Sequence, residues 1–321
     1  MSPLGRYRGL LLRLGLSTAL IVLIVTHIEL TRVSEILRAV RPGYLVFALL
    51  VIFLERVFMA YKWHLLLAAK NLHVPLMRML KICYVSSFAG SFMPSSLGAD
   101  VLRSYCLYKH GTGLAESVSS VLVDKTLSVL VALALPLIVV LLFPDMLPDR
   151  AIRWSVLSIA LVVFVGAGCL LNRSIVTLGM AVIGKVSRRI AARAMLLHGS
   201  VRDYLRCREV VAYVLVLSAG FQLLRVLGVY AIGLSMDPGF VLVYCLIFVP
   251  IIVTLAMIPV SVGGIGVREG SFVYLFSQVG MPTSDAFTLA VLVYLVGIVS
   301  LLPGGVIYAL EGMAAARPRS V

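Results

Sequence analysis

Residues 259–270 read PVSVGGIGVREG, and residues 94–104 read PSSLGADVLRS. Both contain the spacing Pro-x3-Gly-x4-Arg, carried first by Pro94, Gly98 and Arg103 and then, 165 positions later, by Pro259, Gly263 and Arg268. Each copy interrupts a long apolar run. Proline lacks the donor that continues a helix, and glycine reaches backbone angles closed to other residues. In a hydrocarbon layer such a break frees polar backbone groups, and an arginine beside it adds a further cost. A chain that carries this combination twice is expected to be built around it.

The composition places the motif in a membrane. The 321 residues are 61% hydrophobic and 13% charged, with a mean hydropathy of +1.07. Soluble domains average about half apolar and about a quarter charged. The expected class is therefore an all-α polytopic membrane protein, a single membrane domain over residues 1–321. The net charge of +14 sits in segments between apolar runs, which points to membrane orientation and anionic lipid rather than nucleic acid. Cys83, Cys106, Cys169, Cys207 and Cys245 show no CxxC spacing, and the five histidines are widely separated. No metal, cofactor, disulfide framework or catalytic constellation is indicated. The N-terminal run has no clear cleavage site and is expected to remain as a helix.

A spanning helix needs about 20 apolar residues. Full spans are expected near 10–28, 43–66, 114–143, 151–171, 209–234 and 284–311. Regions 76–110 and 240–280, each broken at its centre by the motif, are expected to form re-entrant hairpins, although a pair of full spans is the alternative for either. With the N-terminus inside, seventeen Lys and Arg fall on inner segments, against Arg32, Arg38, Arg41, Arg150 and Arg153 outside. That bias predicts a bacterial cytoplasmic (inner) membrane protein with both termini cytoplasmic. Shifting 43–70 by 165 reaches 208–235, and shifting 114–143 by 169 reaches 283–312. Two inverted repeats, 1–145 and 146–321, follow: about six full transmembrane helices plus two re-entrant helical hairpins. The basic segment 174–208 is expected to lie as an amphipathic helix on the inner leaflet, or to dock a soluble enzyme partner.

Past each break a half-helix begins at mid-depth. Ser95, Ser96 and Ser261 are positioned to cap the freed N–H groups. Helix N-termini attract anions, and Arg103 and Arg268 follow one to two turns later. The predicted substrate-binding set is Arg103, Arg268, Ser95, Ser96, Ser261, Gly98, Gly263, Gly264, Gly266, Glu269 and Asp100, with Pro94 and Pro259 as the breaks. Arg103 and Arg268 should approach one central cavity that takes an anionic headgroup. The plainer reading pairs Arg103 with Asp100, and Arg268 with a carboxylate such as Glu269 or one on another helix, with glycines that only allow close packing. Glu55, Arg56, Asp124, Lys125 and Arg225 also fall within spans, so they should face the interior as a transport path, a proton-coupling route or a network of ion pairs. Adjacent helical residues do not share a face, so Asp124 and Lys125 should have different partners.

At these motifs the chain resembles the lysylphosphatidylglycerol synthase transmembrane-region family of flippase-like membrane proteins. PVSVGGIGVRE matches the second family signature throughout. PSSLGADVLR matches the first, with Asp100 one place later than usual, and VLVDKTLSVL matches the following span, with Lys125 where arginine is commoner. The resemblance covers nearly the whole chain. It implies movement of lipids between leaflets, by a stand-alone membrane region without the aminoacyl-transferase domain fused to such regions in multiple-peptide-resistance proteins. Two other readings stay open: an intramembrane lipid-modifying transferase, and a partner subunit that anchors a soluble enzyme. A homo-oligomer is compatible with all three.

Overall fold

The computed structural model describes residues 30–93, 97–143, 150–171, 199–204, 206–258 and 261–316, with isolated positions elsewhere. Pro94, Ser95, Ser96 and Pro259 lie outside the described residues, as do most of the first expected span and most of 174–208. The described elements are α1 (Leu30–Ala39), α2 (Pro42–Ala68), α3 (Leu76–Ser91), α4 (Gly98–Lys109), α5 (Leu114–Leu142), α6 (Arg150–Leu171), α7 (Arg208–Met236), α8 (Leu242–Ala256), α9 (Val267–Ser277) and α10 (Thr283–Ala316). A short 3-10 turn, Val262–Gly264, separates α8 from α9. No strand occurs among the described residues.

Four helices, α2, α5, α7 and α10, are long and apolar enough to cross a membrane, at four of the six positions the sequence predicts. The fifth position is occupied by α6, of 22 residues. These helices are turned inside out relative to a soluble bundle. On α2 the exposed stripe is Val46, Phe47, Leu50, Leu54 and Tyr61, whereas the buried stripe holds Glu55, Met59, Lys62, Trp63 and Leu66. Charge points inward and hydrocarbon outward. The outer faces of α7 and α10 continue the apolar surface with Val216, Leu223, Leu295, Val299, Leu302 and Val306. Such a surface is stable only against lipid.

Between the spans lie two broken pairs, α3–α4 and α8–α9. At 1.5 Å per residue the longest of the four, the 16-residue α3, extends roughly 24 Å, short of a hydrocarbon core of roughly 30 Å. The second break is made by Gly263, Gly264 and Gly266 at φ of +60°, +78° and +86°, left-handed angles that side chains with a Cβ rarely adopt. The two members of each pair pack against each other, α3 on α4 and α8 on α9.

The helix contacts come in matched sets. α2 packs on α3 as α7 does on α8, and α4 packs on α5 as α9 does on α10. Across the molecule α3 meets α10 while α8 meets α5, and α2 meets α7 along the most extensive seam. Exchanging α2–α5 for α7–α10 leaves this map unchanged. The largest apolar core cluster lies where α7, α8, α9 and α10 converge, with the Phe276 ring stacked on Phe240 and on Phe272, each at 5.7 Å, and Phe248 edge-on to it at 5.2 Å. Cys83 and Cys245 are fully buried within the core.

The α3–α4 pairing depends on one small residue. A Cβ added to Gly90 would stand 2.6 Å from both the Ala99 Cα and its nitrogen, so the two helices would have to separate. Gly90→Ala is expected to lower stability by about 1–3 kcal/mol. Gly297→Ala, at a helical position with open space around it, should be neutral or slightly stabilising. Thermal unfolding in detergent distinguishes the two.

Candidate functional site

The charged residues of α2, α4, α5 and α7 converge. Arg103 follows the first turn of α4 and is 4% exposed. Its Nη1 and Nη2 both donate to Asp124 Oδ2 at 3.2 Å, and Asp100, one turn earlier, stands 3.7 Å away. The guanidinium also lies over the Trp63 ring at 4.3 Å, with the ring fixed by an Nε1–H bond to Ser120 at 3.0 Å. The second oxygen of Asp124 faces Lys62 Nζ at 3.0 Å, and Lys62 also donates to Ser128. Asp124 thus carries two cations inside the bundle. Lys125, one residue on and pointing elsewhere as helix geometry requires, pairs with Asp100 at 2.8 Å.

A second buried pair completes this wall. Arg225 donates to Glu55 through Nη2 at 2.6 Å and through Nε at 3.0 Å. Phe221 lies between two cations, Arg225 and Lys62, each 4.6 Å from the ring centre. Lys62, Asp100, Arg103, Asp124, Lys125, Ser128, Phe221 and Arg225 line a cavity of about 180 Å³, together with Arg56, Ser87, Ala99 and the apolar Met59, Val129, Val253 and Met257.

Arg268 lines a different, adjoining cavity of about 320 Å³, with Gly263, Ile265, Tyr294 and Gly297. The two cavities share Arg56, Ser87 and Ala99. Arg268 pairs with Glu269, Nε to Oε1 at 3.1 Å, and lies over Tyr294 at 4.4 Å. Glu269 has a second duty. Its Oε2 accepts the Gly266 N–H at 2.7 Å and closes the capping box at the start of α9. The carboxylate thus occupies the helix N-terminus where a bound anion was expected. Ser261, expected as a cap, makes no capping bond; its hydroxyl is buried without a partner among the described residues. Gly98 opens α4, whose Ncap residue Leu97 offers no side-chain cap.

Both arginines of the repeated motif are therefore paired with carboxylates, as are Lys62, Lys125 and Arg225. Arg56 differs. Among the described residues its guanidinium meets no carboxylate; Nη1 has one long bond to Ser87 at 3.4 Å, and Nε is buried without a partner. It stands where the two cavities join. Lys62, Trp63, Ser87, Ser128, Phe221 and Tyr294 are site residues that sequence reasoning did not single out. Lys62 had a legible signal, since it lies seven residues after Glu55 and so on the same helical face.

A buried carboxylate that holds two cations is costly to remove, because both are left uncompensated. Asp124→Asn is expected to destabilise the protein by about 3–5 kcal/mol or to prevent its recovery from the membrane. Asp100→Asn, at a site 20% exposed, should cost much less. Denaturation of the purified variants in detergent measures the difference.

No curated protein sequence matches the chain. The family model described as "Lysylphosphatidylglycerol synthase TM region" matches residues 10–305. With its apolar exterior and charged interior, the chain belongs to this family of multi-pass membrane proteins tied to lipid biology.

Proposed function

We propose that the protein is a lipid flippase: it moves an anionic, phosphate-bearing lipid or lipid-linked molecule between the two leaflets and is not an enzyme. The observation that carries this reading is Arg56, a guanidinium that meets no carboxylate among the described residues and stands at the junction of two cavities. A charged group inside a membrane bundle that lacks an internal counter-ion is costly unless a ligand or water supplies the compensation. A phosphate diester matches a guanidinium in charge and in geometry. The headgroup would sit against Arg56, with Arg103 and Arg268 as flanking positive walls, while its acyl chains stay along the apolar outer faces of the spans.

The inverted repeat supplies the movement. The matched helix contacts support two halves related by a pseudo-two-fold axis, and the short paired helices α3–α4 and α8–α9 support re-entrant hairpins that open from opposite sides. Rocking one half against the other would expose Arg56 to each leaflet in turn. Both termini are assigned to the cytoplasm of a bacterial inner membrane on the bias of basic residues. No specific observation favours the transferase or the anchoring subunit over this reading.

Reconstitution in liposomes tests it. Wild-type protein should move fluorescent-tail phosphatidylglycerol between leaflets faster than phosphatidylcholine. Arg56→Gln should slow the phosphatidylglycerol rate about 10-fold or more, the loss of one charge-assisted hydrogen bond, with an unchanged elution profile. Equal rates for wild type and Arg56→Gln would overturn the assignment.

A further inference from the structure

Lys62 is the one lysine in the central cavity whose side chain is sealed from solvent, at 1% exposure. From α5 it faces Asp124 and the Ser128 hydroxyl, while Arg103 on α4, Arg225 on α7 and the Cys83 thiol on α3 lie near enough to act on its charge. Glu55, on its own helix, is taken up by Arg225. Asp124 is therefore the carboxylate available to Lys62, and Arg103 already holds it with two hydrogen bonds.

The two cations on Asp124 are not equivalent. A guanidinium stays protonated in any protein environment, whereas an ammonium gives up its proton when burial makes the charge costly. If Lys62 loses its proton, Arg103 and Asp124 remain as a neutral pair and no carboxylate is orphaned. The neutral amine can still accept from or donate to Ser128. With Lys62 protonated, five cations around the cavity, Arg56 among them, meet three carboxylates, Asp100, Asp124 and Glu55. Entry of an anion offsets that excess.

We infer that Lys62 is a proton-coupling residue: it takes up one proton when an anionic headgroup enters the cavity and gives it up when the headgroup leaves. The inference rests on the anion-binding reading above and adds an energy source to it, since a proton travelling with the lipid lets a pH gradient drive the movement. The balance is simple. On entry, water in the cavity delivers H⁺ to the Nζ lone pair of Lys62. On exit, the N–H bond breaks and the proton returns to water on the other side. Linkage fixes the sign: if the anion raises the proton affinity of Lys62, the proton raises the affinity for the anion by the same factor. Binding therefore weakens as pH rises.

The test is proton counting on purified protein in detergent, titrated with short-chain phosphatidylglycerol, whose own charge does not change near neutral pH. A pH-indicator dye in weakly buffered solution reads the protons, and calorimetry reads the binding. Wild type should take up close to one proton per bound lipid, with affinity falling about 10-fold per pH unit across the coupled range. Lys62→Arg, charged throughout, should bind with no proton uptake and no pH slope. Should that variant fail to elute as wild type does, the wild-type proton count decides alone. Binding by wild type without proton uptake overturns the coupling and leaves the anion site standing, as does unchanged uptake in a folded Lys62→Arg. Absence of any phosphatidylglycerol binding by wild type overturns both.

Discussion

Asp124 is the group on which the interior depends. It sits on α5 at 3% exposure and meets Arg103 from α4 and Lys62 from α2. Three helices are thus tied to one carboxylate in a region where water does not compensate unpaired charge. A buried ion pair of this kind gives little net stability over an apolar replacement, but it penalises heavily any arrangement in which one partner is missing. The register of α2, α4 and α5 is therefore held by charge as well as by packing. Trp63, under the Arg103 guanidinium and bonded to Ser120, adds a rigid support to the same junction.

That constraint also explains why the site is not symmetric. The shift of 169 residues that carries α5 onto α10 puts Val293 and Tyr294 where Asp124 and Lys125 stand. Arg103 finds a carboxylate across the interface, whereas Arg268 finds an aromatic ring and must take its own neighbour Glu269 as counter-ion. Spending Glu269 on Arg268 and on the α9 N-terminus leaves that helix end satisfied from within. The compensation used up by the motif arginines leaves Arg56 as the cation that looks outward into both cavities.

Much of this was legible in the sequence. Four long apolar helices occur where the hydropathy of 43–66, 114–143, 209–234 and 284–311 requires them, and the second Pro-x3-Gly-x4-Arg motif breaks the chain at three left-handed glycines. The separate partners of Asp124 and Lys125 followed from the 100° turn between adjacent helical residues. What the sequence left hidden depends on which helices meet. Ser261 reads as a cap from its position, but the turn Val262–Gly264 comes before α9 and moves the cap to Gly266 and Glu269. Lys62 lies within two turns of the end of α2, where a lysine ordinarily reaches for the interface. Only the packing of α5 and α7 against that face turns it inward.

In the proposed function an anionic headgroup takes the place of the counter-ion that Arg56 lacks among the described residues. The most direct measurement is an experimental structure with a bound phosphatidylglycerol. The account predicts phosphate oxygens at hydrogen-bond distance from the Arg56 guanidinium, about 3 Å, between Ser87 and Ala99, with the Arg103–Asp124 pair intact. A headgroup bound only on the outer face, with Arg56 facing an empty or water-filled junction, would contradict it.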